Sequence, residues 1–227
     1  MRSYDLVLLD ADDTIFDFGR AEREALRQAF AGLGIPLGPE VEAGYLEINK
    51  ELWRRLERGE LDQARLRVER FGILFERFGI GAEPRAASEA YVARLSEAAF
   101  LLPGAEGLCA YLASRHRVAI LTNGIAEVQR GRLARSAVAP YVERLVVSEE
   151  AGASKPDPRI FEYACEALGF RDKSRMIMVG DSLASDIKGG IDFGIDTCWV
   201  NLAGGANEAG LRPTYEVRSL DALRYIL

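Results

Sequence analysis

Carboxylates and a hydroxyl crowd into the stretch Asp10-Ala11-Asp12-Asp13-Thr14. It follows directly on Leu6-Val7-Leu8-Leu9, an apolar run bounded by polar residues, the pattern of a strand buried on both faces of a parallel sheet. In an open α/β sheet, ligands bind beyond the carboxyl ends of the strands, so acidic side chains delivered there stand where chemistry is done. Asp and Thr are also ordinary turn and cap residues. The choice rests on what the other strands bring to the same edge.

Three further strand ends carry reactive groups. Arg117-Val118-Ala119-Ile120-Leu121 leads into Thr122-Asn123-Gly124, a hydroxyl and backbone N–H groups in a tight turn suited to phosphate oxygens. Leu145-Val146-Val147 is followed by Lys155, held in a proline-stiffened loop, Lys155-Pro156-Asp157-Pro158. With four lysines against twenty-five arginines, a lysine at this point is informative, because a compact ammonium neutralises an anion as a point charge. Met176-Ile177-Met178-Val179 ends in Gly180-Asp181-Ser182, with Asp186 just beyond. Asp10, Asp12, Asp181 and Asp186 on one edge would repel one another unless a cation sat among them, and Mg²⁺ accepts such oxygens. The single histidine, His116, lies between two arginines and reads as a solvated flank. Cys109, Cys165 and Cys198 are scattered without C-x-x-C spacing, which argues for reduced core cysteines and against zinc or disulfides.

The elements that must hold these groups alternate as strand and helix from residue 101 onward, including helices Pro158–Leu168 and Ser185–Phe193 and a strand Thr197–Val200. That alternation predicts an α/β fold with a Rossmann-like three-layer core around a parallel sheet. The first strand is separated from this region by a helical stretch, with helices at Ala21–Ala31, Pro39–Leu56, Asp62–Phe78 and Arg85–Ala98. The expected organisation is a core of residues 1–17 and 101–227 with an inserted all-helical cap of residues 18–100, leaving from the reactive edge as a lid would.

A net charge of −6, from 29 basic and 35 acidic residues, argues against nucleic-acid polymers and leaves small anions open as ligands. No apolar run reaches membrane-span length, so no membrane partner is expected. With a strand expected from about residue 4, no N-terminal stretch has the form of a signal peptide, and a cytoplasmic protein is expected. No dinucleotide or P-loop fingerprint is present. Nothing specifies an oligomeric state.

Taken in order, Asp10-x-Asp12-x-Thr14, Leu121-Thr122-Asn123-Gly124, Lys155-Pro156 and Gly180-Asp181-x-x-x-x-Asp186 resemble the four motifs of the haloacid dehalogenase (HAD) superfamily of phosphohydrolases, over the whole chain. The resemblance implies that Asp10 is a nucleophile forming an aspartyl-phosphate and that Asp12 is the general acid and then base. It further implies that Asp10, Asp181 and the Asp12 carbonyl ligate Mg²⁺ with help from Asp186, and that Thr122, the Asn123 N–H and Lys155 hold the phosphoryl oxygens. Dehalogenases of this fold lack the second acid, so Asp12 favours phosphate transfer. The place of the insertion resembles subfamily I. Asp13 stands where glycine is common, and Asp10 to Phe16 resembles the house-cleaning pyrimidine 5′-nucleotidases, as do Asn49-Lys50-Glu51-Leu52-Trp53 and Glu57-Arg58-Gly59-Glu60.

That likeness implies a (deoxy)pyrimidine nucleoside monophosphate as substrate. Tyr45, Asn49, Leu52, Trp53 and Leu56 share a helix face, and a buried amide needs partners. Asn49 and Trp53 are therefore either specificity residues facing a base or internal parts of the helical segment. The alternatives are a phosphatase of phosphoglycolate or a sugar phosphate, a phosphomutase, a non-catalytic binding protein, and a haloacid dehalogenase.

Overall fold

The computed structural model describes residues 3–227, apart from the Glu57 side chain. In chain order the elements are β1 (Leu6–Leu9), α1 (Phe18–Gly32), α2 (Pro39–Glu57), α3 (Gln63–Phe78), α4 (Pro84–Glu97), α5 (Ala105–Ala113), β2 (Arg117–Thr122), α6 (Ala126–Arg135), β3 (Arg144–Val147), α7 (Ser148–Ala151), α8 (Pro158–Leu168), β4 (Met176–Gly180), α9 (Lys188–Phe193), β5 (Asp196–Val200) and β6 (Tyr215–Val217). All four residues of β1 and all five of β4 are buried, as strands covered on both faces must be. The sheet is parallel throughout, in the order β3-β2-β1-β4-β5-β6.

Register decides what reaches the edge. Leu9 lies opposite both Ile120 and Val179, so Asp10, Leu121 and Gly180 emerge from the three central strands at one level. On one face of the sheet, Leu6, Leu8, Ala119, Leu121 and Met178 pack against Ile160, Phe161, Ala164 and Cys165 of α8. The Phe161 and Phe193 rings stack at 5.2 Å between centroids. Burial of these side chains, about 1.5–3 kcal/mol each, is what holds the strand ends in place.

The chain divides into two compact units, Met1–Phe18 with Phe100–Leu227, and Gly19–Ala99. Within the second unit, Phe30, Tyr45, Phe71, Phe75 and Tyr91 form an aromatic cluster with centroids 5.4–6.4 Å apart. The Phe71, Leu74, Phe75 stripe of α3 is buried in it. Asp62 caps α3 by accepting from the Arg65 N–H.

Some elements differ from the sequence expectation. The helix expected over Ser185–Phe193 is split: a π-helical turn covers Leu183–Ile187 and α9 begins only at Lys188. The wide turn is pinned at its start, where the Ser182 hydroxyl accepts from the Ser185 N–H and the Asp186 carboxylate from the Ser182 N–H. β6 was not anticipated, since three residues without an apolar run carry no strand signal. His116 is not a solvated flank. It is half-buried, with Nδ1 at 2.8 Å from the Tyr4 carbonyl and Nε2 at 3.3 Å from that of Leu227. The three cysteines are buried and unpaired, as expected. No helix among the described residues is long and apolar enough to cross a membrane.

Candidate active site

At the end of β1, Asp10 is 7% exposed and its Oδ1 lies 2.5 Å from the Lys155 ammonium. The same ammonium stands 2.7 Å from Asp186 Oδ1 and donates to the Leu121 carbonyl at 2.6 Å. Lys155 is thus wholly buried, donating to one carboxylate and a strand-end carbonyl and ion-paired with a second carboxylate. Its loop is held by Asn123, whose side chain donates to the Lys155 carbonyl at 2.9 Å and accepts from the Lys155 N–H at 2.8 Å. The Asn123 amide therefore joins the turn after β2 to the lysine loop. Thr122, the last residue of β2, is buried.

Asp181, at the end of β4, is fixed from two sides. Thr14 Oγ1 accepts from the Asp181 N–H at 3.1 Å and lies 3.3 Å from its Oδ1, while Trp199 Nε1 donates to the Asp181 carbonyl at 2.8 Å. Gly180 has no room for a side chain, because a Cβ there would overlap the Asp186 carboxylate. The glycine before Asp181 is what lets Asp186 fold back against β4.

Negative charge exceeds positive charge here, and the acidities show it. Burial, then Asp186, Asp181 and Asp12, push Asp10 well above the usual carboxylate range despite Lys155. Burial, then Asp186 and Asp13, raise Asp181 to about 7. Burial works against the Lys155 charge, but Asp10 and Asp186 outweigh it and raise its pKa. Burial is the larger cause of these shifts, and mutual repulsion among the carboxylates adds to it. One oxygen from each of Asp10, Asp181 and Asp186 lies within 4.8 Å of the other two. Three hard oxygen donors with unrelieved repulsion fit a divalent ion such as Mg²⁺.

Asp12 is engaged elsewhere. Its Oδ2 accepts from Gln129 Nε2 at 2.7 Å and its Oδ1 pairs with Arg132 Nη1, both partners on α6. Sequence reading missed both residues, since a Gln and an Arg in a polar helix look like surface. Asp13 adopts a left-handed conformation, φ 58°, and its carboxylate accepts from the Phe18 N–H at 3.3 Å. Glycine takes this conformation without cost, and Asp is among the few other residues that tolerate it. The residue at this position thus answers a backbone demand as well as carrying charge.

The two candidate specificity residues lie in the helical unit. Asn49 is buried, donating to Glu22 Oε1 at 2.7 Å and accepting from Arg70 Nη1 at 3.2 Å. Arg70 is itself buried and lies over the Tyr91 ring at 4.5 Å. The Asn49 amide is bonded on both sides inside its own unit. Trp53 is half-buried.

A family model for haloacid dehalogenase-like hydrolases matches residues 4–194. The HAD-hydrolase YfnB of Bacillus subtilis (strain 168) is 37% identical over 100% of this chain and 97% of its own length. The pyrimidine 5′-nucleotidase YjjG of Escherichia coli (strain K12) is 36% identical over 99% of this chain and 98% of its own. The crystal structure of B. subtilis YfnB bound to magnesium is similar with a TM-score of 0.92 and 37% identity, covering 99% of both chains.

Proposed function

The chain belongs to the haloacid dehalogenase-like hydrolase family, and within it we propose that this enzyme is a Mg²⁺-dependent phosphomonoesterase acting on pyrimidine nucleoside 5′-monophosphates. The observation that carries the reading is the Asp10–Lys155 contact at 2.5 Å with a second acid, Asp12, two residues further on. A carboxylate held against a buried ammonium is aimed, and Asp12 supplies the proton traffic that phosphate ester cleavage needs.

In the proposed reaction an Asp10 oxygen attacks phosphorus, and the bond from phosphorus to the ester oxygen breaks. Asp12 gives its proton to the departing alkoxide, which leaves as the nucleoside hydroxyl. Water then attacks the aspartyl-phosphate, Asp12 takes a proton from it, and inorganic phosphate departs with Asp10 regenerated. Lys155, the Thr122 hydroxyl and the Asn123 N–H hold the phosphoryl oxygens as charge shifts among them. Asp10, Asp181 and the Asp12 carbonyl, with Asp186 beside them, would hold Mg²⁺, which would supply positive charge to the transferring group. The substrate class is supported by the pyrimidine 5′-nucleotidase YjjG at 36% identity.

The test is phosphate release with Mg²⁺ across a panel of nucleoside monophosphates, sugar phosphates and phosphoglycolate. Pyrimidine monophosphates should be turned over fastest. A preference for the other esters overturns the substrate class, and phosphoryl transfer without phosphate release overturns hydrolysis. Asp10→Asn should lower turnover about a thousandfold or more with unchanged circular dichroism. Near wild-type turnover in that variant overturns the nucleophile.

A further inference from the structure

Asp12 meets a receptor already formed from α6. Gln129 and Arg132 are three residues apart on that helix and so lie on one face. Gln129 is 3% exposed and Arg132 is fully buried, unusual for these residue types. The Arg132 guanidinium lies over the Phe16 ring at 4.5 Å and near that of Phe18 at 5.9 Å. Phe16 is itself tied to the Asp12 loop, its carbonyl accepting from the Asp13 N–H at 2.8 Å. Gln129 lies across Gly124, where a Cβ would stand 2.8 Å from its Nε2. The turn that offers phosphate-binding groups thus carries a glycine at the point where the Gln129 amide passes on its way to Asp12.

We propose that Gln129 and Arg132 are positioning residues that aim the Asp12 carboxylate for proton transfer, an inference that rests on the phosphomonoesterase reading above. One donor on each oxygen fixes the carboxylate about its own axis. The two donors are unequal. The charged guanidinium makes the stronger bond and keeps Oδ1, whereas the neutral amide yields more readily, so Oδ2 is the oxygen that gives and takes the proton. A buried arginine is not needed to fill this space, since an apolar side chain of similar volume does that without desolvating a charge.

The experiment compares two esters with the holoenzyme in saturating Mg²⁺: a pyrimidine nucleoside monophosphate, whose alkoxide leaving group needs a proton, and p-nitrophenyl phosphate, whose phenolate leaves without one. Arg132→Met and Gln129→Met should lower kcat/KM on the nucleotide by about 10- to 100-fold, part of what general acid–base catalysis contributes. On the aryl ester kcat/KM should fall by a few-fold at most, because this ratio reports transfer to Asp10 and not the later hydrolysis that both esters share. Arg132→Lys should recover part of the nucleotide loss. In an Asp12→Asn background, Gln129→Met should cost nothing further, because both changes act through one carboxylate.

Equal losses of kcat/KM on the two esters, or an additive loss in the double variant, overturn the positioning role. So does an unchanged or raised kcat/KM on the nucleotide. If Arg132→Met does not fold, Gln129→Met and Arg132→Lys decide the matter. A wild-type enzyme that releases no phosphate from either ester overturns the functional reading itself, whereas an active enzyme indifferent to Gln129 and Arg132 overturns only this inference.

Discussion

Two regions of this molecule bury charge, and they do so to opposite effect. In the helical unit, Arg70 is stacked on Tyr91, and the Asn49 amide runs between it and Glu22, so that an anion and a cation share one relay. At the sheet edge, Asp10 and Asp186 flank Lys155 with Asp181 close by, and burial together with mutual repulsion raises the pKa of Asp10 and of Asp181. The first arrangement is closed in that one anion and one cation are joined through the Asn49 amide inside the fold. The second is open: three carboxylates crowd together around one ammonium. A buried polar cluster is therefore most telling of function when its charges do not balance, and burial by itself says little.

The largest effect should come from breaking the closed cluster. Arg70→Met removes the cation from the relay through Asn49 and should cost about 3 kcal/mol, read from urea unfolding. A loss below about 1 kcal/mol would mean that the relay does not balance Glu22, and the contrast with the sheet edge would fall.

The open cluster should respond to pH and metal instead. Because the Asp181 pKa is raised from its usual 3.8 to about 7, its folded form binds a proton more tightly than the unfolded chain does. The associated stability is present below pH 4 and is lost as pH rises through about 7. In chelator, stability should fall by about 2 kcal/mol between pH 5 and 8, a figure discounted for the partial exposure of Asp181. Millimolar Mg²⁺ should restore it, as binding to the folded state alone does. A profile that is flat in chelator, or indifferent to Mg²⁺, would remove the surplus on which the comparison rests.

The smallest effect sharpens the picture at the rim. Asp13→Asn keeps a residue that tolerates the left-handed conformation while deleting a charge that raises Asp181. It should move the pH midpoint in chelator downward, with stability at pH 5 changed by less than about 0.5 kcal/mol. A midpoint that stays in place would show that Asp13 acts through the backbone alone.

The sequence made legible what short motifs and strand ends carry. Asp10, Lys155, Asp181 and Asp186 could be read as neighbours because each follows an apolar run, and a parallel sheet brings such ends together. Gln129 and Arg132 stayed hidden because helical polar residues look alike whether they face water or a buried carboxylate. The one usable signal was Gly124, a glycine just ahead of α6 where a side chain passes close. The π-helical turn before α9 was illegible, since its cause is bonding by Ser182 and Asp186, which periodicity does not encode. For Asn49, periodicity indicated burial but could not name Glu22 and Arg70 as the partners.

The sheet order has a consequence for motion. β1, β2 and β4 are each paired on both sides, so the strands that carry Asp10, Thr122 and Asp181 are the central ones. Local openings start at edges and termini, and central strands come apart only when the whole unit does. The backbone beneath these side chains therefore breathes on the slowest clock the unit has, and adjustment during turnover falls to rotamers and connecting loops.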